Sequence, residues 1–148
     1  MFCIYRILKI KEHPELIDQA SLWFSTKFNV SQEAYKQSML ESIHNESIPN
    51  WFVYVKDNQI VGGCGVIEYD FHDEKEITPN LCALYIDQQH REKGLAKNLL
   101  DRVSKQYDTL YLITDHTDFY EKCGWTFHSI IQTDSDEHLS RVYKKSRG

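Results

Sequence analysis

The stretch Gln89-His90-Arg91-Glu92-Lys93-Gly94-Leu95-Ala96-Lys97-Asn98-Leu99-Leu100 decides how this chain is read. Before it runs an apolar, strand-like segment, LCALYI at 81–86. After it, Leu95, Leu99, Val103 and Tyr107 recur at helical spacing. The link between them is polar and carries cationic side chains and a glycine, which a purely structural connection does not need. A helix N-terminus exposes unpaired backbone N–H groups and a partial positive charge, so it is a ready anion site. Gly94 lets a ligand approach the backbone closely, and Ala96 keeps the next turn small. Arg91, Lys93 and Lys97 add mobile positive charge. The alternative is an ordinary strand-to-helix turn with a cationic surface. Two familiar phosphate motifs are absent: there is no G-x-x-x-x-G-K-[ST] and no G-x-G-x-x-G.

Working outward, the pattern of residues gives an order of elements. Residues 2–10 read as a strand. Pro14 fits the first turn of a helix in which Leu16, Ile17, Ala20, Trp23, Phe24 and Phe28 follow at helical spacing. Ser31 is positioned to cap a second helix, whose Tyr35, Met39 and Ile43 share a face. WFVYV at 51–55 and IVGGCGVIEY at 60–69 are strands joined by a Lys56-Asp57-Asn58-Gln59 hairpin signal. Gly62, Gly63 and Gly65 inside the second of these ask for a bulge or a close approach. An acidic linker leads to 81–86, then come a helix over 94–107 and a strand at 109–114. A short helix at 117–122 ends at Gly124, a C-cap position, and strands at 125–131 and 139–145 close the chain. The order β-α-α-β-β-β-α-β-α-β-β is a mixed α/β chain. Its 81–114 segment is one βαβ unit with parallel strands and a right-handed crossover. Repeats, low-complexity tracts and a second-domain linker are absent, so residues 1–148 are expected to be one domain.

The totals exclude several classes. At 148 residues the chain can bury a core without disulfides or metals. An aromatic content of 13% excludes a disordered chain. A net charge of −5 argues against a nucleic-acid footprint and suits a cationic partner. Cys3, Cys64, Cys82 and Cys123 are scattered in or beside apolar runs without metal-ligand spacing, which reads as buried, reduced thiols. The N-terminal MFCIYRILKIKEH has no signal-peptide pattern, and no apolar run approaches the ~20 residues of a membrane span. A cytoplasmic protein that needs no membrane is the expectation.

Arg91-Glu92-Lys93-Gly94-Leu95-Ala96 also matches [QR]-x-x-G-x-[GA]. This resembles the acetyl-coenzyme A signature of the GNAT superfamily of N-acetyltransferases, in the right context of strand before and helix after. FYEKCGW at 119–125 resembles that superfamily's second marker, Tyr-x-Lys-x-Gly-aromatic on the last short helix. The whole order of elements is similar to the GNAT fold. The fold implied is α/β (α+β): a single domain with a mixed central sheet of about seven strands, about four helices, and one splayed parallel strand pair.

The resemblance implies roles residue by residue. The pantetheine arm of acetyl-CoA would enter between the splayed strands and pair with backbone groups near Leu84, Tyr85 and Ile86. Backbone N–H groups over Arg91, Glu92, Lys93, Gly94, Leu95 and Ala96, with Lys97 beside them, would hold the pyrophosphate. Tyr120 aligns with the family's general acid for the leaving thiolate, and a phenol suits that task. Its alternative is a ring that packs on the cofactor. The family's usual base is a glutamate, and its approximate position here is Asn80, which cannot take a proton. Glu68, Asp70, His72 and His116 are the candidate bases, and a water chain without a dedicated base is a further possibility. Transfer is expected to be direct, with no acyl-cysteine intermediate. Acetyl-CoA is the implied cosubstrate, without a metal. The protein is implied to be a monomer or homodimer.

Two acidic loops, EYDFHDEKE at 68–76 and TDSDEH at 133–138, lie near the acceptor side of the resembled fold. They point to a cationic small-molecule amine; the alternative is that they are simply solvated. Two other functions stay open: a GNAT-fold module that binds CoA or a metabolite without turnover, and a protein lysine or N-terminal acetyltransferase.

Overall fold

The computed structural model describes residues 4–133 and 139–147. Seven strands form one sheet in the order β1-β2-β3-β4-β5-β7-β6. By compactness the chain divides into two units, Met1–Val66 with Ala83–Ala96 and Ile67–Cys82 with Lys97–Gly148.

In the first unit, β1 (Arg6–Lys9), β2 (Asn50–Lys56) and β3 (Gln59–Ile67) run antiparallel, with Arg6 opposite Val55 and Phe52 opposite Cys64. The hairpin between β2 and β3 has Asp57 at φ 52° and Asn58 at φ 64°. A two-residue turn with both centres left-handed matches the twist of its strands, and Asp and Asn tolerate that conformation. The first strand is shorter than the sequence suggests because Ile10–Glu12 turn into a 3₁₀ helix. Pro14 likewise opens a 3₁₀ turn, Pro14–Leu16, before α1 (Ile17–Lys27) begins. Ser31 caps α2 (Gln32–Ser42) as expected, its Oγ accepting from the Ala34 N–H at 3.2 Å.

Two glycines of β3, Gly63 and Gly65, are seats for aromatic rings. Phe24 of α1 stacks on Tyr35 of α2 at 5.4 Å and meets Trp51 of β2 edge-on at 5.1 Å. A Cβ at Gly63 would lie 2.8 Å from the Phe24 ring, and one at Gly65 only 2.4 Å from the Trp51 ring. The Trp51 indole N–H donates to Ser38 Oγ at 2.9 Å, so the buried ring is also satisfied.

β4 (Asn80–Ile86) belongs to the second unit up to Cys82 and to the first from Ala83 onward. In the second unit it pairs in parallel with β5 (Thr109–Thr114) at Asn80↔Tyr111 and Leu81↔Leu112. That ladder is two pairs long, as a splayed parallel pair requires. Ala83 follows at φ 55°, a left-handed residue inside a strand. Such a conformation costs of order 1–3 kcal/mol and concentrates at functional sites.

α3 (Leu95–Ser104) carries the chain from β4 to β5 and buries Leu95, Leu99, Leu100 and Val103. It stops one turn short of the expected end, although Tyr107 is buried too. β6 (Thr126–Gln132) and β7 (Leu139–Ser146) form an antiparallel hairpin, and β7 pairs with β5 through Thr109↔Ser146 to Thr114↔Arg141. Ile77, Tyr111, Ile131 and Val142 form a core cluster in this unit. The last helix, α4 (Phe119–Lys122), is a single turn.

Candidate functional site

The opening stretch forms a turn whose backbone makes few bonds of its own. Gln88–His90 are a 3₁₀ turn, Arg91 is extended, and α3 starts at Leu95. Between them Glu92 has φ 65° and Gly94 φ 77°. Gly94 adopts that conformation without a Cβ penalty. A Cβ built there meets nothing within 4 Å, so the space over the turn is open. The N–H groups of Glu92, Lys93 and Gly94 have no acceptor among the described residues. Those of Leu95 and Ala96 open the helix, where no intrahelical acceptor exists. Left-handed residues in such a turn are the backbone of anion-binding nests.

The side chains around the turn keep its positive charge available. The Arg91 Nε donates to the Ile86 carbonyl at 2.8 Å, and its guanidinium stacks 5.0 Å over the Tyr85 ring. Arg91, Lys93 and Lys97 form no ion pair among the described residues. Asp87, just upstream, is taken up elsewhere: its carboxylate pairs with Lys27 at 2.9 Å and accepts from the Trp23 indole at 3.4 Å. Its N–H donates to the Val61 carbonyl at 2.8 Å. The unit thus brings Leu84, Tyr85 and Ile86 together with the Arg91–Ala96 turn.

The second unit holds the candidate bases. Glu68 is exposed, and its carbonyl accepts from Thr78 Oγ1 at 2.6 Å, closing the base of the acidic loop. Asn80 organises the interior. Its Oδ1 accepts from the Asp70 N–H at 2.9 Å, while its Nδ2 donates to the Ile77 carbonyl at 2.9 Å. These two bonds fix which end of the amide is oxygen, so His72 Nε2, 2.7 Å from Oδ1, must be the donor. His72 Nδ1 in turn accepts from the Glu74 N–H at 3.0 Å. Both ring nitrogens are occupied in a ring only 5% exposed, leaving His72 no free lone pair to take a proton. The Asp70 carboxylate differs: it has no hydrogen bond or ion pair among the described residues. Burial pushes it up to about 6. His116 is exposed, and its ring makes no hydrogen bond among the described residues. Asp73, Glu74 and Glu76 are exposed on the acidic loop. The other acidic loop's Asp134, Asp136 and Glu137 lie outside the described residues.

Tyr120 sits on α4, 9% exposed, between the Phe119 and Trp125 rings at 5.0 and 6.4 Å and the Tyr143 ring at 5.8 Å. A capping box holds this one-turn helix: the Asp118 N–H donates to Glu121 Oε1 at 2.9 Å and the Asp118 side chain caps in return. The thiols are unsuited to nucleophilic work. Cys64, Cys82 and Cys123 are buried thiols in no disulfide among the described residues, and Cys3 lies outside them. Burial drives the Cys64 thiol far up; burial, then the Asp101 charge, raises Cys123. Among the described residues no group of His, Cys, Asp or Glu side chains could hold a metal ion, and no helix is long and apolar enough to cross a membrane.

Sequence reasoning missed the left-handed Ala83, which carries no glycine signal, and two tyrosines, Tyr5 and Tyr54, whose hydroxyls reach the turn.

Comparison with known proteins gives the fold and the family. No curated protein matches the chain. Among solved structures, an aminoglycoside 6'-N-acetyltransferase complexed with coenzyme A is similar at TM-score 0.70 and 18% identity, covering 97% of this chain and 96% of that one. A GNAT-family acetyltransferase from Streptococcus pneumoniae has TM-score 0.68 at 11% identity, covering 99% of this chain and 100% of that one. Naa50 of Arabidopsis thaliana, in complex with the bisubstrate analogue CoA-Ac-MVNAL, has TM-score 0.64 at 15% identity, covering 96% and 98% respectively. The acetyltransferase (GNAT) domain family matches residues 47–127, more than half of the chain. With the strand–turn–helix of residues 80–104 and the Tyr120 helix in their family order, this chain belongs to the GNAT acetyltransferase family.

Proposed function

We propose that this protein transfers an acetyl group from acetyl-CoA to a primary amine of a cationic small molecule, directly and without an acyl-enzyme. The observation that carries this reading is the turn at 91–97. Five backbone N–H groups and three cations without partners among the described residues, two left-handed residues and open space over Gly94 fit a pyrophosphate.

Acetyl-CoA supplies the thioester when bound. The N–H groups of 92–96 hold its pyrophosphate, with Arg91, Lys93 and Lys97 adding charge. The backbone of Leu84–Ile86 orients its pantetheine amides. The protonated amine must lose one proton before its nitrogen bonds to the thioester carbonyl carbon, and a second as the C–S bond breaks and the thiolate leaves. Asp70 is the chain's proton acceptor in this reading: its carboxyl is unpaired and ionises near pH 6, whereas both nitrogens of His72 are committed. Tyr120 would give its proton to the leaving sulfur and be restored by the second proton that the nitrogen loses. The products are an amide, free CoA thiol and one proton. The exposed carboxylates Asp73, Glu74 and Glu76 draw the cation in.

Purified protein mixed with acetyl-CoA and panels of polyamines, aminoglycosides, amino acids and peptides, read by free thiol release, tests the proposal. Turnover with a cationic small amine is the expected result. Turnover only with peptides would make it a protein acetyltransferase, and tight CoA binding without turnover on any amine would make it a binding module.

A further inference from the structure

The acetyl-CoA turn cannot hold its own shape. The N–H groups of 92–94 have no acceptor among the described residues, and two of its residues are left-handed. Besides the Arg91 bond to the Ile86 carbonyl, two hydroxyls hold it in this unit, one at each end. The Tyr54 hydroxyl donates to the Leu95 carbonyl at 2.9 Å, where α3 begins. The Tyr5 hydroxyl hydrogen-bonds His90 Nδ1 at 2.8 Å, where the preceding 3₁₀ turn ends. The two tyrosines also brace each other. Their rings meet edge-on at 6.3 Å and 83°, and the His90 ring meets Tyr5 edge-on at 5.6 Å and 82°. Tyr54 is 3% exposed on β2, in register between β1 and β3, so it is a rigid post. Tyr5 leads directly into β1.

We infer that Tyr5 and Tyr54 are positioning residues for cofactor binding, holding His90 and Leu95 so that the amides between them are pre-arranged for the pyrophosphate. The inference rests on the reading of the turn as the acetyl-CoA site. Neither hydroxyl is free to touch the cofactor: each is spent on the turn. Their contribution is preorganisation, which lowers the ordering cost of binding without altering the chemical step. Losing a brace that acts equally on ground and transition states raises KM for acetyl-CoA and leaves kcat alone.

The test is calorimetric Kd for CoA, plus steady-state kinetics, on Tyr5→Phe, Tyr54→Phe, His90→Ala, His90→Asn and Tyr5→Phe/His90→Ala, each checked for folding by thermal melting. Each Tyr→Phe keeps the ring and removes one hydrogen bond. We expect Kd to rise about five- to tenfold in each, with kcat and the acceptor KM unchanged. His90→Ala should weaken CoA as much as Tyr5→Phe, and the double variant should lose no more than either alone. His90→Asn, whose Oδ1 stands near the Nδ1 position, should recover most of the affinity. If Tyr54→Phe does not fold, Tyr5→Phe and the His90 pair carry the test. Wild-type protein that binds no CoA overturns both the site and the brace. Wild-type binding that Gly94→Val abolishes, with the Tyr5 and His90 variants unaffected, overturns the brace alone. Tyrosine variants that lower kcat rather than affinity also overturn it.

Discussion

The backbone N–H of Trp125 donates to the carbonyl of Tyr120 at 2.9 Å, while the N–H of Gly124 donates to that of Glu121 at 3.0 Å. This pair of bonds is a Schellman closure, and Gly124 takes its left-handed position at φ 88°. The second family marker therefore has a local cause: the residue proposed as acid is tied to the residue that ends its helix. Gly124→Ala should destabilise the protein by about 1–2 kcal/mol, the cost of a left-handed residue with a Cβ. That Cβ would also sit 2.7 Å from Lys145 Nζ. Urea unfolding measures the loss, and an unchanged midpoint would refute the strain.

Tyr120→Phe keeps the ring between Phe119, Trp125 and Tyr143 and removes the proton. The expected outcome is kcat lowered on the order of 10²-fold with CoA affinity unchanged. Full kcat would leave Tyr120 a packing residue.

At Gly94 the free protein has room for a side chain but not the backbone freedom. Gly94→Val should therefore melt a few degrees lower yet stay folded, with CoA affinity reduced at least about tenfold. Calorimetry decides, and a folded variant of normal affinity would remove the pyrophosphate from this turn.

Asp70 links pH to both stability and rate. Its carboxyl ionises near 6 when folded, against an ordinary 3.8, so the folded chain binds the proton more tightly than the unfolded one. Its contribution to stability is greatest below about pH 4 and is lost as pH rises through about 6. Asp70→Asn should accordingly be more stable than wild type at pH 7, by on the order of 2–3 kcal/mol, and about equal at pH 3.5. If Asp70 is also the proton acceptor, wild-type kcat/KM rises through about pH 6 and the stabilised variant is slow at every pH. A stable and fully active variant would hand the proton to water.

The exposed Asp73 and Glu74 offer a test of the acceptor's charge. For a polycationic amine, KM should climb between low and moderate salt with kcat nearly flat, because exposed attractions are screened within ~8 Å at physiological ionic strength. Neutralising both should raise KM and flatten that slope. A salt-independent KM would mean that these carboxylates are only solvated.

By itself the sequence determined what local chemistry dictates. The Asp57-Asn58 hairpin, the Ser31 cap, the Gly124 terminus and the strand–turn–helix around Gly94 each depend on a few adjacent residues, and each formed where those residues stand. Among the described residues, the pattern also placed the seven strands and four helices, with errors at their ends: β3 stops at Ile67 rather than at 69, α3 at Ser104 rather than at 107, and 3₁₀ turns take up Ile10 and Pro14. The site was legible as far as its motifs were contiguous. Tertiary structure alone decided the rest, because it depends on groups far apart in the chain. Tyr5 meets His90 across 85 residues, and Tyr54 meets Leu95 across 41. In the proposed reading, His72 is set aside as a base because the Asn80 amide oxygen takes its Nε2–H and the Glu74 N–H bonds its Nδ1, contacts that do not involve the Asp70 carboxylate. Histidine and aspartate are both plausible bases as letters. Burial and hydrogen-bond partners separate them, and those exist only once the chain has folded.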